Sequence, residues 1–170
     1  MTDHAIRAAT AEDLLAAAEI YAHFVNQTVV TFDTTPPTVE DWQCKADDLA
    51  ARGLPFLVLA LAGTVAGFAY AAPYRPKAAY RQTVENSIYL SPAWLGKGLG
   101  KPLLTALLAA CEQTDAREMI AVIADAGNDA SVRLHQALGF TEVGRLRRVG
   151  YKLDRWVDTI LLQRSLANGN

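Results

Sequence analysis

Between Val84 and Leu104 the chain reads VENSIYLSPAWLGKGLGKPLL, an extended apolar segment that runs through closely spaced glycines into a Leu/Ala-rich helical pattern. Gly96, Gly98 and Gly100 alternate with Lys97 and Leu99. Glycines at such spacing let the backbone fold tightly and approach a ligand, because they have no Cβ and accept positive φ. Successive N–H groups then point outward, and the helix that follows adds its positive end, a combination suited to a pyrophosphate. Pro102 fits the first turn of that helix, where a missing N–H costs nothing. A packing turn between strand and helix is the bland reading of the same residues. Two sharper readings fail. A nucleoside-triphosphate loop needs Ser or Thr after its Lys, but Lys101 is followed by Pro102. A dinucleotide fingerprint needs Gly-x-Gly-x-x-Gly after the first strand of a βαβ unit, and these glycines have other spacing and come late.

The rest of the chain predicts an α+β domain, a central mixed and mostly antiparallel sheet flanked by helices on both faces. A short strand at Ile6 to Ala8 precedes a capping box, Thr10 to Asp13, which opens a helix with Leu14, Ala17, Ala18, Tyr21 and Val25 on one face. Thr38 to Asp41 repeats the box before Trp42, Ala46 and Leu49, with Gly53 as terminator. Phe56 to Leu61 and Val65 to Ala71 read as a hairpin, followed by a polar loop from Pro73 to Gln82. Strand Val84 to Leu90, helix Pro102 to Gln113, strand Met119 to Ala124, helix Asp129 to Leu138 and strands Phe140 to Gly144 and Trp156 to Gln163 complete the order. At 170 residues, with neither linker nor repeat, residues 1–166 read as one domain with a frayed tail at 167–170. A net charge of −2 without a basic run argues against nucleic acid or membrane surfaces as partners. No leader or 18-residue apolar span is evident, which makes a cytoplasmic protein the expectation. Cys44 and Cys111 fall in helical segments as reduced, buried thiols, and no residues have metal-ligand spacing.

The stretches VENSIYLS, LGKGLGKPLL and GNDASVRLHQALGF resemble the acetyl-CoA-binding core of the GNAT superfamily of N-acetyltransferases. TVVTFDTTP, YRPKAAYRQTVENSIYL and VGYKLDRWVDTILLQ narrow the resemblance to its phosphinothricin and methionine sulfoximine N-acetyltransferases, over nearly the whole chain. The resemblance implies acetyl-CoA as co-substrate, no metal, and a homodimer. It places the pyrophosphate on Gly96, Lys97, Gly98, Leu99, Gly100 and Lys101, with the pantetheine arm beside Ile88, Tyr89 and Leu90 and touching Asn128. The lysine side chains rank below the backbone groups, since surface lysines are usually solvated. Two positions depart from the superfamily. Leu95 stands where the turn usually begins with Gln or Arg, which costs the pyrophosphate one side-chain contact. His135 stands where a Tyr often protonates the departing thiolate, as the subfamily resemblance leads one to expect.

An amine must lose its proton before it attacks a thioester. Glu85, between Val84 and the polar pair Asn86 and Ser87, reads from sequence alone as a strand-edge carboxylate; the resemblance makes it the general base, its pKa raised by partial burial. A strand N–H, that of Tyr89 or Leu90, would meet the developing oxyanion. His135 reads either as a satisfied structural histidine or as a group that binds substrate or relays a proton. Arg75, Lys77 and Tyr80, in the loop before Glu85, are either a solvated basic loop or a clamp for a carboxylate and a phosphinate or sulfoximine oxygen. Phe32 and Trp94 are candidate pocket walls, although aromatic residues more often pack. The activity implied is acetylation of the α-amine of a small amino acid, with Phe32, Arg75, Lys77, Tyr80, Tyr89 and His135 on the acceptor. A catalytically silent acyl-CoA-binding module and an acetyltransferase for another small amine are the alternatives.

Overall fold

The structure is a computed structural model that describes residues 4–166; the expected frayed tail at 167–170 lies outside the described residues. Its elements are β1 (His4–Ala8), α1 (Leu14–Gln27), α2 (Val39–Ala51), β2 (Phe56–Leu61), β3 (Thr64–Pro73), β4 (Thr83–Leu90), α3 (Gly100–Cys111), β5 (Glu118–Ala124), α4 (Ala130–Gln136), β6 (Thr141–Lys152) and β7 (Arg155–Ser165). Both capping boxes form. Thr10 N donates to Asp13 Oδ2 at 2.8 Å, and Asp41 N donates to Thr38 Oγ1 at 3.1 Å. Asp13 also receives both guanidinium nitrogens of Arg7 at 2.6 and 2.8 Å, which ties β1 to the start of α1. That pairing holds the Asp13 carboxyl down at about 2.

The strands lie in one sheet in the order β1-β2-β3-β4-β5-β7-β6. Alternation along β2 and β3 fills both faces, as expected. Val58, Phe68 and Tyr70 meet Leu14, Tyr21, Phe24 and Trp42 on the α1 and α2 side. Leu59, Ala69 and Ala71 meet Leu103, Leu104 and Leu107 of α3 on the other. Each fully buried leucine contributes about 1.5 to 3 kcal/mol relative to exposure.

Every strand pairing is antiparallel except β4 with β5, which is parallel and runs only from Thr83 to Glu85 against Glu118 to Ile120. Beyond Glu85 the two strands separate, so the middle of the sheet splits open. Three expectations need correction. The helix after the glycines starts at Gly100, two residues before Pro102, because the last glycine already has helical geometry. Strand β6 reaches Lys152 rather than ending at Gly144, since its far half pairs with β7 across an irregular stretch that breaks the alternating pattern. Cys111 is buried, but Cys44 is exposed on the outer face of α2.

Candidate active site

The gap between β4 and β5 has a chemical consequence. In an antiparallel ladder alternate residues turn their N–H and C=O to the same neighbour. Ser91 N donates to Ala66 O at 2.8 Å and Tyr74 N to Thr83 O at 3.1 Å, so the odd-numbered residues of β4 bond to β3. Asn86, Ile88 and Leu90 therefore turn their backbone groups toward β5, which has already left them. The result is an unpaired strand edge facing a cleft of about 820 Å³. Its wall includes Glu85 through Leu90, the turn from Leu95 to Lys101 except Lys97, and residues of β5, α4, α1 and the segment after α1.

At the turn, Gly96 (φ 72°) and Gly98 (φ 77°) are left-handed, and a Cβ at either would meet no atom within 4 Å. Open space before a run of N–H groups at the start of α3 fits a pyrophosphate. Gly100 differs: its Cβ would meet Leu134 Cδ2 at 3.1 Å, so this glycine serves the packing of α3 on α4. Leu95, Leu99 and Lys101 line the cleft, with Leu95 half exposed. Lys97 lies outside it, its ammonium 4.3 Å from the centre of the Trp94 ring. Trp94 packs against the α3 core and is not part of the wall. Across the cleft Asn128, before α4, lines the wall and accepts from Ala130 N at 3.2 Å.

Glu85 and His135 approach the open edge from opposite faces of β4, because Glu85 and Asn86 are neighbours in a strand and point opposite ways. Burial pushes the Glu85 carboxyl above its usual range, and the positive charges of Arg75 and Lys45 pull it partly back. His135 is 2% exposed. Its Nδ1 donates to the Ser131 carbonyl oxygen at 2.8 Å, and Nε2 lies 3.0 Å from Asn86 Oδ1. Asn86 Nδ2 donates to Ile120 O at 3.4 Å. In this arrangement both ring nitrogens face oxygen, as an imidazolium requires. Burial pushes the His135 pKa down, toward the neutral ring. A neutral ring accepts at Nε2, and Asn86 serves it by turning its amide, at the cost of one long hydrogen bond. The two orientations of a single amide thus suit the two charge states of His135.

On the α1 side, Phe32 lines the cleft beside Tyr21, Thr31 and Tyr89. The Tyr21 hydroxyl donates to Asp33 Oδ2 at 2.6 Å and lies 2.6 Å from Thr31 Oγ1. Burial raises the pKa of both Tyr21 and Tyr89, which keeps the phenols protonated. Arg75, Lys77 and Tyr80 stand outside the cleft wall. Arg75 covers the Tyr74 ring at 4.7 Å while its charge acts on Glu85, Lys77 precedes the short helical turn Ala78–Tyr80, and Tyr80 stands edge-on to Tyr74. Asn86, Thr31 and Tyr21 line the site and were missed by the sequence reading, as was Lys45, which stands outside the wall and acts on Glu85 through its charge. The signal available for Asn86 was a run of polar residues, Glu85 to Ser87, inside a central strand. Among the described residues no group of His, Cys, Asp and Glu is placed to hold a metal ion.

Residues 17–140 match the model of the acetyltransferase (GNAT) family. The chain belongs to the GNAT family of acetyltransferases. It is 42% identical over 165 residues to the phosphinothricin N-acetyltransferase of Alcaligenes faecalis, covering 97% of this chain and 84% of that one. It is 38% identical over 162 residues to the L-methionine sulfoximine/L-methionine sulfone acetyltransferase of Pseudomonas aeruginosa, covering 95% and 94%. The crystal structure of a GNAT superfamily phosphinothricin acetyltransferase from Sinorhizobium meliloti, in complex with acetyl-CoA, superimposes with a TM-score of 0.94 at 41% identity, over 100% of this chain and 91% of that one. The expected mixed, mostly antiparallel sheet with helices on both faces agrees with this overlap.

Proposed function

We propose that this GNAT acetyltransferase moves the acetyl group of acetyl-CoA to the α-amine of a small amino acid bearing a tetrahedral phosphorus or sulfur group. The observation that carries the reading is the juxtaposition of the open glycine turn, the unpaired edge of β4 and the partly buried Glu85 around one cleft. The relatives' names support the acceptor class. When bound, acetyl-CoA supplies an activated acetyl thioester. Gly96 to Lys101 would hold its pyrophosphate, and Ile88, Leu90 and Asn128 its pantetheine arm.

Glu85 takes the proton from the acceptor amine, directly or through water, and its raised pKa makes it a stronger base near neutrality. The Leu90 N–H, facing the open edge, stabilises the developing oxyanion; the Tyr89 N–H turns to β3 and is the weaker candidate. His135, on the opposite face, holds or passes a proton with Asn86 as its partner. Arg75, whose charge acts on Glu85, would receive an anionic acceptor group, with Lys77 and Tyr80 on the same loop and Phe32 as the wall. Residues 1–166 act as one catalytic domain in the cytoplasm. The β6 and β7 edge exposes Leu146, Val149, Tyr151, Leu153 and Trp156, a surface that supports a homodimer. Among the described residues no helix is long and apolar enough to cross a membrane.

The test is mass spectrometry of the products from acetyl-CoA with phosphinothricin, methionine sulfoximine or methionine sulfone. An N-acetyl product with stoichiometric thiol release is the expected result. Acetyl-CoA binding without thiol release from any of these acceptors would identify a silent binding module instead.

A further inference from the structure

Strand β6 is not regular. Leu146 pairs with Thr159 and Gly150 with Val157, so Arg147, Arg148 and Val149 stand opposite Asp158 alone. The bulge is held in place: Arg148 has a left-handed φ of 51°, and its N–H donates to Asp158 Oδ1 at 2.8 Å. The strand resumes at the buried Gly150, whose backbone meets the Phe32 ring across the fold. A Cβ at position 150 would lie inside the van der Waals envelope of Phe32 Cε2 and Cζ, with Cδ2 at 2.9 Å. Gly150 does not have a positive φ, so its own backbone accepts a side chain, and the three nearest atoms that oppose one all belong to the Phe32 ring.

The segment that carries Phe32 cannot back away. Thr31 is buried, its carbonyl oxygen accepts from Lys152 Nζ at 2.7 Å, and its hydroxyl lies 2.6 Å from the Tyr21 hydroxyl. Lys152 lies two residues beyond Gly150 on the same strand. One short piece of β6 therefore both anchors the backbone beside Phe32 and offers its ring a surface without a side chain. What yields to a substituent at 150 is the ring, and the ring lines the cleft.

We propose that Gly150 is a specificity-determining position: the absence of a side chain there parks Phe32 against β6 and sets the width of the acceptor end of the cleft. The proposal rests on the acetyltransferase reading above and adds to it the strand that controls acceptor fit. Gly150 touches no reacting atom and acts through Phe32.

Gly150→Ala, Phe32→Leu and the double variant test it, with Michaelis constants measured separately for methionine sulfone and acetyl-CoA. Gly150→Ala should raise the acceptor KM by roughly tenfold or more while the acetyl-CoA KM stays put, the size expected when a methyl group displaces a pocket wall. Adding Phe32→Leu should recover most of that loss, because the two substitutions share one contact. An unchanged acceptor KM in folded Gly150→Ala, or no recovery in the double variant, overturns the proposal. If the wild-type protein acetylates none of the amino acids, the functional reading fails, and the crystal structure of Gly150→Ala then decides this one: a rotated Phe32 ring upholds the contact, a ring left in place refutes it. Should Gly150→Ala not fold, Phe32→Ala removes the same wall without touching β6, and an acceptor KM unchanged there overturns the proposal as well.

Discussion

Gly98→Ala isolates the cofactor turn from the packing around it. Gly98 has φ 77°, and its Cβ would meet nothing within 4 Å, so the substitution adds no clash and changes only the backbone preference. An L-residue held in the left-handed region costs about 1 to 2 kcal/mol. In the free protein the exposed turn relieves the strain by relaxing. Binding acetyl-CoA restores the conformation, so the strain reappears as lost affinity of roughly 5- to 30-fold. Gly100→Val makes the contrast: its side chain runs into Leu134, and overpacking there costs about 1 to 3 kcal/mol of stability. Calorimetric titration with acetyl-CoA, paired with thermal unfolding, separates the two effects. Gly98→Ala should lose affinity with a nearly constant Tm, and Gly100→Val should lose Tm. Wild-type affinity in Gly98→Ala would show that the turn does not need its left-handed glycine to hold the pyrophosphate.

Glu85→Gln should lower kcat by roughly 10²- to 10⁴-fold with acetyl-CoA affinity unchanged, and near wild-type turnover at neutral pH would remove Glu85 from the mechanism. The ionised carboxylate is the base, so kcat/KM rises with pH through its pKa. Burial places that limb above the ordinary carboxylate range, and Arg75→Ala, by deleting a charge that lowers the pKa, should move the limb to higher pH in a pH-rate profile. Leu95→Arg, at a half-exposed position on the cleft wall, should tighten acetyl-CoA by about one charge-assisted hydrogen bond, roughly 1 to 3 kcal/mol, as read by calorimetry. Asp13→Asn should destabilise the fold by about 2 kcal/mol at pH 7, since the folded-state pKa is depressed from 3.8 to about 2. That stability is present above the unfolded pKa and is lost as pH falls through the folded one, so chemical denaturation of the two proteins should converge toward pH 2.

Most of the fold was legible because its signals are local. The capping boxes at Thr10 and Thr38 and the apolar runs of β2 and β3 need no tertiary context to read. β6 was half missed because Arg145, Arg147 and Arg148 interrupt the alternation, and the bulge there depends on Asp158 from the neighbouring strand. The site divided in the same way. Glycines, Glu85 and His135 lie in short motifs, whereas the Asn86 contact with His135 joins residues 49 apart and the Lys152 contact with Thr31 joins residues 121 apart. Phe32 and Trp94 look alike in the sequence, as candidate pocket walls. Only the register of the chain shows that the first lines the cleft and the second packs under the turn.

The acceptor class is tested most directly by kcat/KM, with acetyl-CoA saturating, for phosphinothricin, methionine sulfoximine, methionine sulfone, methionine, glutamate, a polyamine and a lysine peptide. A pocket that pairs donors with the tetrahedral oxygens leaves those donors unpaired on a plain amino acid, and such a site rejects the analogue strongly. The phosphinate, sulfoximine and sulfone acceptors should rank ahead of methionine and far ahead of the polyamine and the peptide. A polyamine or lysine peptide preferred by tenfold or more would contradict that acceptor class.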